Sequence, residues 1–194
     1  MNSRKASISR KTSETKIELE LDLDGSGESK IATGIEFLDH LFTALARHAR
    51  FDLKLSCSGD LAVDDHHTAE DCALALGTAI DKALGERRGI ARFGFAFAPM
   101  DESLARACID LSGRPFADIN LMLMREKVGE LSCENIPHMI ASLAMSARAT
   151  VHVDVLRGFN DHHQAEAAVK ALALAMRQAV AIVGDAVAST KGVL

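Results

Sequence analysis

The chain repeats itself at about half its length, and that duplication restricts it to folds assembled from two like halves. Glu36-Phe37-Leu38-Asp39-His40-Leu41 has a counterpart in Glu134-Asn135-Ile136-Pro137-His138-Met139, 98 residues further on. Asp65-His66-His67-Thr68-Ala69-Glu70 answers to Asp161-His162-His163-Gln164-Ala165-Glu166, 96 residues further on. The loop between the two motifs is therefore two residues shorter in the second copy. A boundary near Gly85 to Gly89 divides the chain into halves 1–87 and 88–194, expected to form one compact unit.

Periodicity agrees between the copies, element by element. Ile35, Leu38, Phe42 and Leu45 recur at helical spacing, as do Ile136, Met139, Ile140, Leu143 and Ala147, so each copy carries an amphipathic helix with a single His. Alternating Phe51, Leu53, Leu55 and Cys57, matched by Val151, Val153 and Val155, predict a half-buried strand after each helix. A long helix follows, with apolar stripes Ala69, Cys72, Leu76, Ile80 and Ala165, Val169, Leu172, Met176, and the two-His motif opens it both times. Further strands are predicted around Ile17 to Leu23, Phe93 to Phe97, Leu104 to Leu111 and Phe116 to Met122. The expected class is α+β: two similar halves, each a sheet with two helices, packed through their helices.

Composition narrows the function. Hydrophobic residues make up 48% and charged residues 25%, ordinary for a globular chain. Aromatics are 4%, all Phe, and the net charge is -5, so neither stacking platforms nor a phosphate-neutralising surface for nucleic acid is expected. No apolar run approaches the roughly 18 residues of a membrane span, and residues 1–12 lack the apolar region of a signal peptide, so a cytoplasmic protein with a small-molecule partner and no membrane is expected. Cys57, Cys72, Cys108 and Cys133 show no C-x-x-C spacing and read as buried, reduced thiols.

His-His-x-x-Glu at a helix start has a geometric meaning. Residues three and four apart share a helix face, so Glu70 neighbours His66 or His67, while the two adjacent imidazoles diverge by about 100°. One pair cannot readily chelate one ion, so each motif serves two ions and the repeat supplies the complementary half. His40 and His138 add one ligand apiece. The count is His40, His66, His67, His138, His162, His163, Glu70 and Glu166, or three imidazoles and one carboxylate for each of two metals. His48 aligns with Ser146 and His152 with Lys54, so neither belongs to the duplicated set. Nitrogen and oxygen ligands without thiolate suit Mn, Fe, Co or Zn, and a four-ligand set leaves a six-coordinate ion room for substrate; Mn fits best.

Four strings resemble the imidazoleglycerol-phosphate dehydratase family of histidine biosynthesis: Gly34-Ile35-Glu36-Phe37-Leu38-Asp39-His40-Leu41, Asp65-His66-His67-Thr68-Ala69-Glu70-Asp71, Gly158-Phe159-Asn160-Asp161-His162-His163 and Ser189-Thr190-Lys191-Gly192. The resemblance runs from about Arg10 to the C-terminus. It implies a duplicated α+β fold, two Mn ions per active site and a homo-oligomer of 24 subunits. It also implies a hydro-lyase that dehydrates D-erythro-imidazole-glycerol phosphate to imidazole-acetol phosphate. The hydrogen lost in that reaction sits on a carbon that is not acidic. A metal on a ring nitrogen lowers the ring N–H pKa, and the metal-bound imidazolate expels the adjacent hydroxyl while a carboxylate takes the C–H proton. Glu166, Glu70 and Glu14 are the carboxylates in question, and Glu14 matches a substrate-contacting Glu of the family. By resemblance Arg92, Arg114, Lys170, Ser189, Thr190 and Lys191 bind substrate, with the C-terminal segment as a phosphate-binding tail. Two other readings of the same ligands are a metal staple that only assembles subunits and a two-metal hydrolase.

Overall fold

Inward-facing alternation builds one sheet in each half, and a computed structural model of the protein, which describes residues 4–192, shows the two sheets with the same topology. The first half runs β1 (Lys5–Lys11), β2 (Thr15–Asp22), β3 (Ser29–Ala32), α1 (Glu36–Ala49), β4 (Asp52–Gly59) and α2 (His66–Leu84). A short β5 (Arg88–Ile90) leads to the second: β6 (Phe93–Met100), β7 (Ser103–Asp110), β8 (Phe116–Asn120), the small pair β9 (Lys127–Val128) and β10 (Leu131–Ser132), α3 (Asn135–Ser146), β11 (Thr150–Arg157) and α4 (Asp161–Ala179). Finally β12 (Ile182–Val187) pairs antiparallel with β5. Strand order is β1-β2-β4-β3 in one sheet and β6-β7-β11-β8 in the other, and in both the last pair is parallel and the rest antiparallel.

The halves meet through their helices, as the apolar stripes require. α2 covers β1 and β2 and packs on α3 of the other half; α4 covers β6 and β7 and packs on α1. Each partnership therefore joins a two-His helix to a single-His helix across the repeat. Close approach needs small residues: a Cβ on Gly77 of α2 would lie 2.0 Å from Ser146 Oγ and 2.5 Å from the Leu143 carbonyl of α3. In β2, Ile17, Leu19 and Leu21 are buried while Glu18 and Glu20 face out. β6 is built the other way round for its residue sizes. Gly94 and Ala98 face α4, where a Cβ on Gly94 would meet the Ala175 carbonyl at 1.9 Å, so Phe93, Phe95 and Phe97 line the outer face at 59%, 67% and 58% exposure.

The thiols depart from expectation. All four are free, but only Cys72 and Cys133 are buried. Cys57 is half-buried, and Cys108 is exposed because its register on β7 opposes Phe95 on that outward face.

Candidate metal and phosphate sites

Two clusters form where the helix partnerships cross. His162 and Glu166, one turn apart on α4, meet His40 of α1; His66 and Glu70, one turn apart on α2, meet His138 of α3. Ligand atoms within each group all lie within 4.8 Å of one another. Glu166 Oε2 is 3.2 Å from His40 Nε2 and 3.3 Å from His162 Nε2. In the other cluster Glu70 Oε1 is 3.2 Å from His138 Nε2, and Glu70 Oε2 is 3.8 Å from His66 Nε2. Each cluster thus takes residues from both halves.

The remaining motif histidines stand outside both groups. His67 and His163 diverge from their neighbours on the helix, giving edge-on ring pairs at 79° and 87°. Each cluster therefore holds two imidazoles and one carboxylate from this chain, where three imidazoles were expected. His67 Nδ1 donates to Asp60, at 3.0 Å from Oδ2, and His163 Nδ1 donates to Glu102 Oε2 at 2.8 Å. These bonds fix the tautomer and leave each Nε2 as a free lone pair. Glu14, in the β1–β2 turn, lies 3.8 Å from His67 Nε2; Asp101, in the equivalent β6–β7 turn, lies 3.7 Å from His163 Nε2. The carboxylate contacts raise the pKa of both imidazoles, and His163 holds Glu102 at about 2.

Sequence reasoning missed Asp60, Glu102 and Asn135. Asn135 Oδ1 accepts from His66 Nδ1 at 2.9 Å. Its place inside an aligned motif was a usable signal, and Asp60 lies five residues before the first two-His motif, whereas Glu102 reaches His163 from the β6–β7 turn, far from the second motif in sequence. Helix starts are also tethered. Asp65 accepts from Ser132 N and Oγ at 2.6 and 2.7 Å, and Asp161 accepts from Met124 N and Arg125 N at 3.1 and 2.6 Å.

Glu166 is 7% exposed. Burial pushes its carboxyl up, but the Lys170 ammonium, 2.7 Å from Oε1, and His40 outweigh that and hold it at about 2. Lys170 accordingly sits at this cluster, its Nζ also 3.4 Å from Met100 Sδ. The other five phosphate candidates do come together. Arg92, Arg114, Ser189, Thr190 and Lys191 line one open recess, with Phe93 and Ala188. Arg92 is fixed by a bidentate pair with Asp110, at 2.6 and 3.0 Å, and donates to the Ala188 carbonyl at 2.7 Å, so it anchors the tail; Arg114 and Lys191 keep their charges toward the recess.

The donor set suits a divalent transition metal: imidazole nitrogens aimed at one carboxylate and no thiolate, with the Lys170 ammonium against the carboxylate of one cluster. His138 Nε2 is buried and makes no hydrogen bond despite its 3.2 Å approach to Glu70, an unsatisfied lone pair that a cation would satisfy.

Among the described residues no helix is long and apolar enough to cross a membrane. The family model for imidazoleglycerol-phosphate dehydratase matches residues 33–176, well over half of the chain. An imidazoleglycerol-phosphate dehydratase of Phytophthora nicotianae is 60% identical over 98% of this chain, which spans 42% of that protein's length. One of Kluyveromyces lactis is 50% identical over 98% of this chain and 97% of its own. The crystal structure of the Staphylococcus aureus dehydratase superposes with a TM-score of 0.83, at 32% identity, over 92% of this chain and 99% of that one. A duplicated fold, clusters assembled across the repeat and relatives that match nearly the whole of this chain converge: the chain belongs to the imidazoleglycerol-phosphate dehydratase family and is a hydro-lyase.

Proposed function

We propose that the chain dehydrates D-erythro-imidazole-glycerol phosphate to imidazole-acetol phosphate in L-histidine biosynthesis. The observation that carries this reading is the pair of His-His-Glu clusters, related by the duplication, in a member of this family. Two Mn2+ per active site are the proposed cofactors, with other divalent transition metals as substitutes: His40, His162 and Glu166 hold one, His66, His138 and Glu70 the other. Bound there, the metal would acidify the ring N–H of a coordinating imidazole, as the imidazolate route requires.

The chain's own residues do the rest. Arg114, Lys191 and the Ser189 and Thr190 hydroxyls take the substrate phosphate, with Arg92 holding the tail in place. A carboxylate removes the C–H proton, the neighbouring hydroxyl departs and takes up that proton to be released as water, and the enol relaxes to the ketone. Among the three carboxylates proposed for proton transfer, Glu166 is already engaged by the Lys170 ammonium and by two imidazoles. Glu70 is occupied by two imidazoles. Glu14 faces the free Nε2 of His67 and is the proposed base.

His67 and His163 complete the ligand count if they serve the clusters of a second copy, which makes the active form a homo-oligomer, with 24 subunits as the family resemblance implies. The outward row Phe93, Phe95 and Phe97 on β6 supports association, since an exposed apolar strip of this kind marks a contact face. Halves 1–87 and 88–194 then act as one catalytic unit in the cytoplasm. The test is turnover of the imidazole substrate by chelator-stripped protein before and after Mn2+ is added. We expect activity to return with the metal; assembly restored without turnover would establish the metal as a structural staple instead.

A further inference from the structure

Exact duplication would make the two metal sites equal, yet the two copies differ at both positions that support the ligands. Resting on the reading of these clusters as cation sites, we infer that they are unequal by construction: the His66, Glu70, His138 site holds its divalent cation more tightly, and the His40, His162, Glu166 site is the weaker, exchangeable one.

The first difference lies beside the leading imidazole of each pair. Asn135 Oδ1 accepts from His66 Nδ1 at 2.9 Å, which locks the tautomer, aims Nε2 at the cluster and makes it a stronger donor. The position equivalent to Asn135 is Phe37. Its ring lies 4.8 Å from that of His162, centroid to centroid, and packs against the imidazole without an acceptor for Nδ1. His162 therefore gains steric support only, and its tautomer is left unfixed by that neighbour.

The second difference concerns the carboxylate. Lys170, one turn beyond Glu166, puts its ammonium 2.7 Å from Oε1, and its equivalent beside Glu70 is Leu74. Among the described residues Glu70 pairs only with its two imidazoles. A divalent cation at the Glu166 cluster thus meets a carboxylate already half neutralised and a fixed positive charge nearby. Because Glu166 is buried, that repulsion is poorly screened by solvent. The outlying ligands do not offset this, for His67 and His163 are each held by a carboxylate on Nδ1 in the same way.

Removing such a supporting partner commonly costs 10- to 100-fold in metal affinity. We therefore expect the full-length, chelator-stripped protein, titrated with Mn2+ alone and followed by calorimetry and by the electron paramagnetic resonance signal of free Mn2+, to fill two classes of site at least about tenfold apart. Lys170→Leu should tighten the weaker class, and Asn135→Ala should weaken the tighter one, each leaving the other class within about threefold. A single class of two equal sites in the unaltered protein would overturn the inference. So would two classes that neither variant moves, or that the variants move in the opposite sense. Absence of any Mn2+ binding would instead defeat the metal reading on which the inference stands.

Discussion

Glu102 accepts a 2.8 Å hydrogen bond from His163 Nδ1, which turns the Nε2 of His163 away from the cluster that its neighbour His162 joins. This orientation is what the proposal that His163 serves a cluster of another chain rests on. His67→Ala and His163→Ala should each lower the metal content from about two Mn per subunit, as elemental analysis reads it. Mixed assemblies separate the arrangements more sharply. His162→Ala and His163→Ala chains, each inactive alone, should recover part of the activity when co-assembled, because one supplies an intact cluster and the other an intact His163. Zero recovery in verified mixed oligomers would mean that each site is completed within one chain.

The base can be assigned by reading kcat and metal content on the same samples. Glu14→Gln should lower kcat at least about 100-fold while both metals stay bound, because it removes a proton acceptor that is outside the clusters. Glu166→Gln should lose activity together with metal, since its carboxylate holds two imidazoles and an ammonium at once. Glu166→Gln that kept full metal and lost kcat would transfer the proton-transfer role to Glu166.

In the recess at the C-terminus, two cations have different duties. Among the described residues Lys191 makes one hydrogen bond, its backbone N–H donating to Ser189 Oγ, so Lys191→Ala should raise KM for the phosphorylated substrate about tenfold or more with little change in Tm. Arg92→Ala removes the bidentate pair with Asp110 and the bond to Ala188, and leaves the half-buried Asp110 without its main partner. It should lower Tm by several degrees as well as weaken binding. Equal Tm losses in both variants would show that the tail binds no phosphate and serves only to pack.

What was legible in the sequence follows from what repeats. Local periodicity placed all four long helices and strands β2, β4, β6, β7, β8 and β11, because burial on one face imposes 3.6 or 2 on any such element, and it missed β1 and the short β3, β5, β9, β10 and β12. It could not say which face of β6 is buried: Phe93, Phe95 and Phe97 alternate with Gly94, Ala96 and Ala98, and the close approach of α4 selects the small set. The ligand trios were readable as a set of types, but their grouping was not. Which helix of one half meets which of the other is a tertiary fact, and only the crossing of α1 with α4 and of α2 with α3 divides six histidines into two clusters and two outliers. Lys170 illustrates the same limit: resemblance places it with the substrate, and its contact with Glu166 one helical turn away was not foreseen.

Acid sensitivity should begin at a turn far from the metal clusters. Asp52, at the start of β4, accepts through Oδ1 from Ser26 N, Gly27 N and Glu28 N at 2.8, 3.1 and 2.9 Å. These donors, Ser26 first, hold its carboxyl below the ordinary value of 3.8, so the folded chain binds this proton less readily than the unfolded one does. Its contribution to stability is then complete above about pH 4 and fades as pH falls through the depressed folded value. Asp52→Ala should accordingly lower Tm at pH 7 by a few degrees, the effect of about 1 kcal/mol in a chain of this length. As pH falls below about 4 the difference from the unaltered protein should shrink, since the native carboxylate progressively loses its charge. Thermal melts of both proteins from pH 7 down to pH 2.5 read this directly, and a gap that stayed constant or widened toward acid would show that Asp52 acts through packing alone.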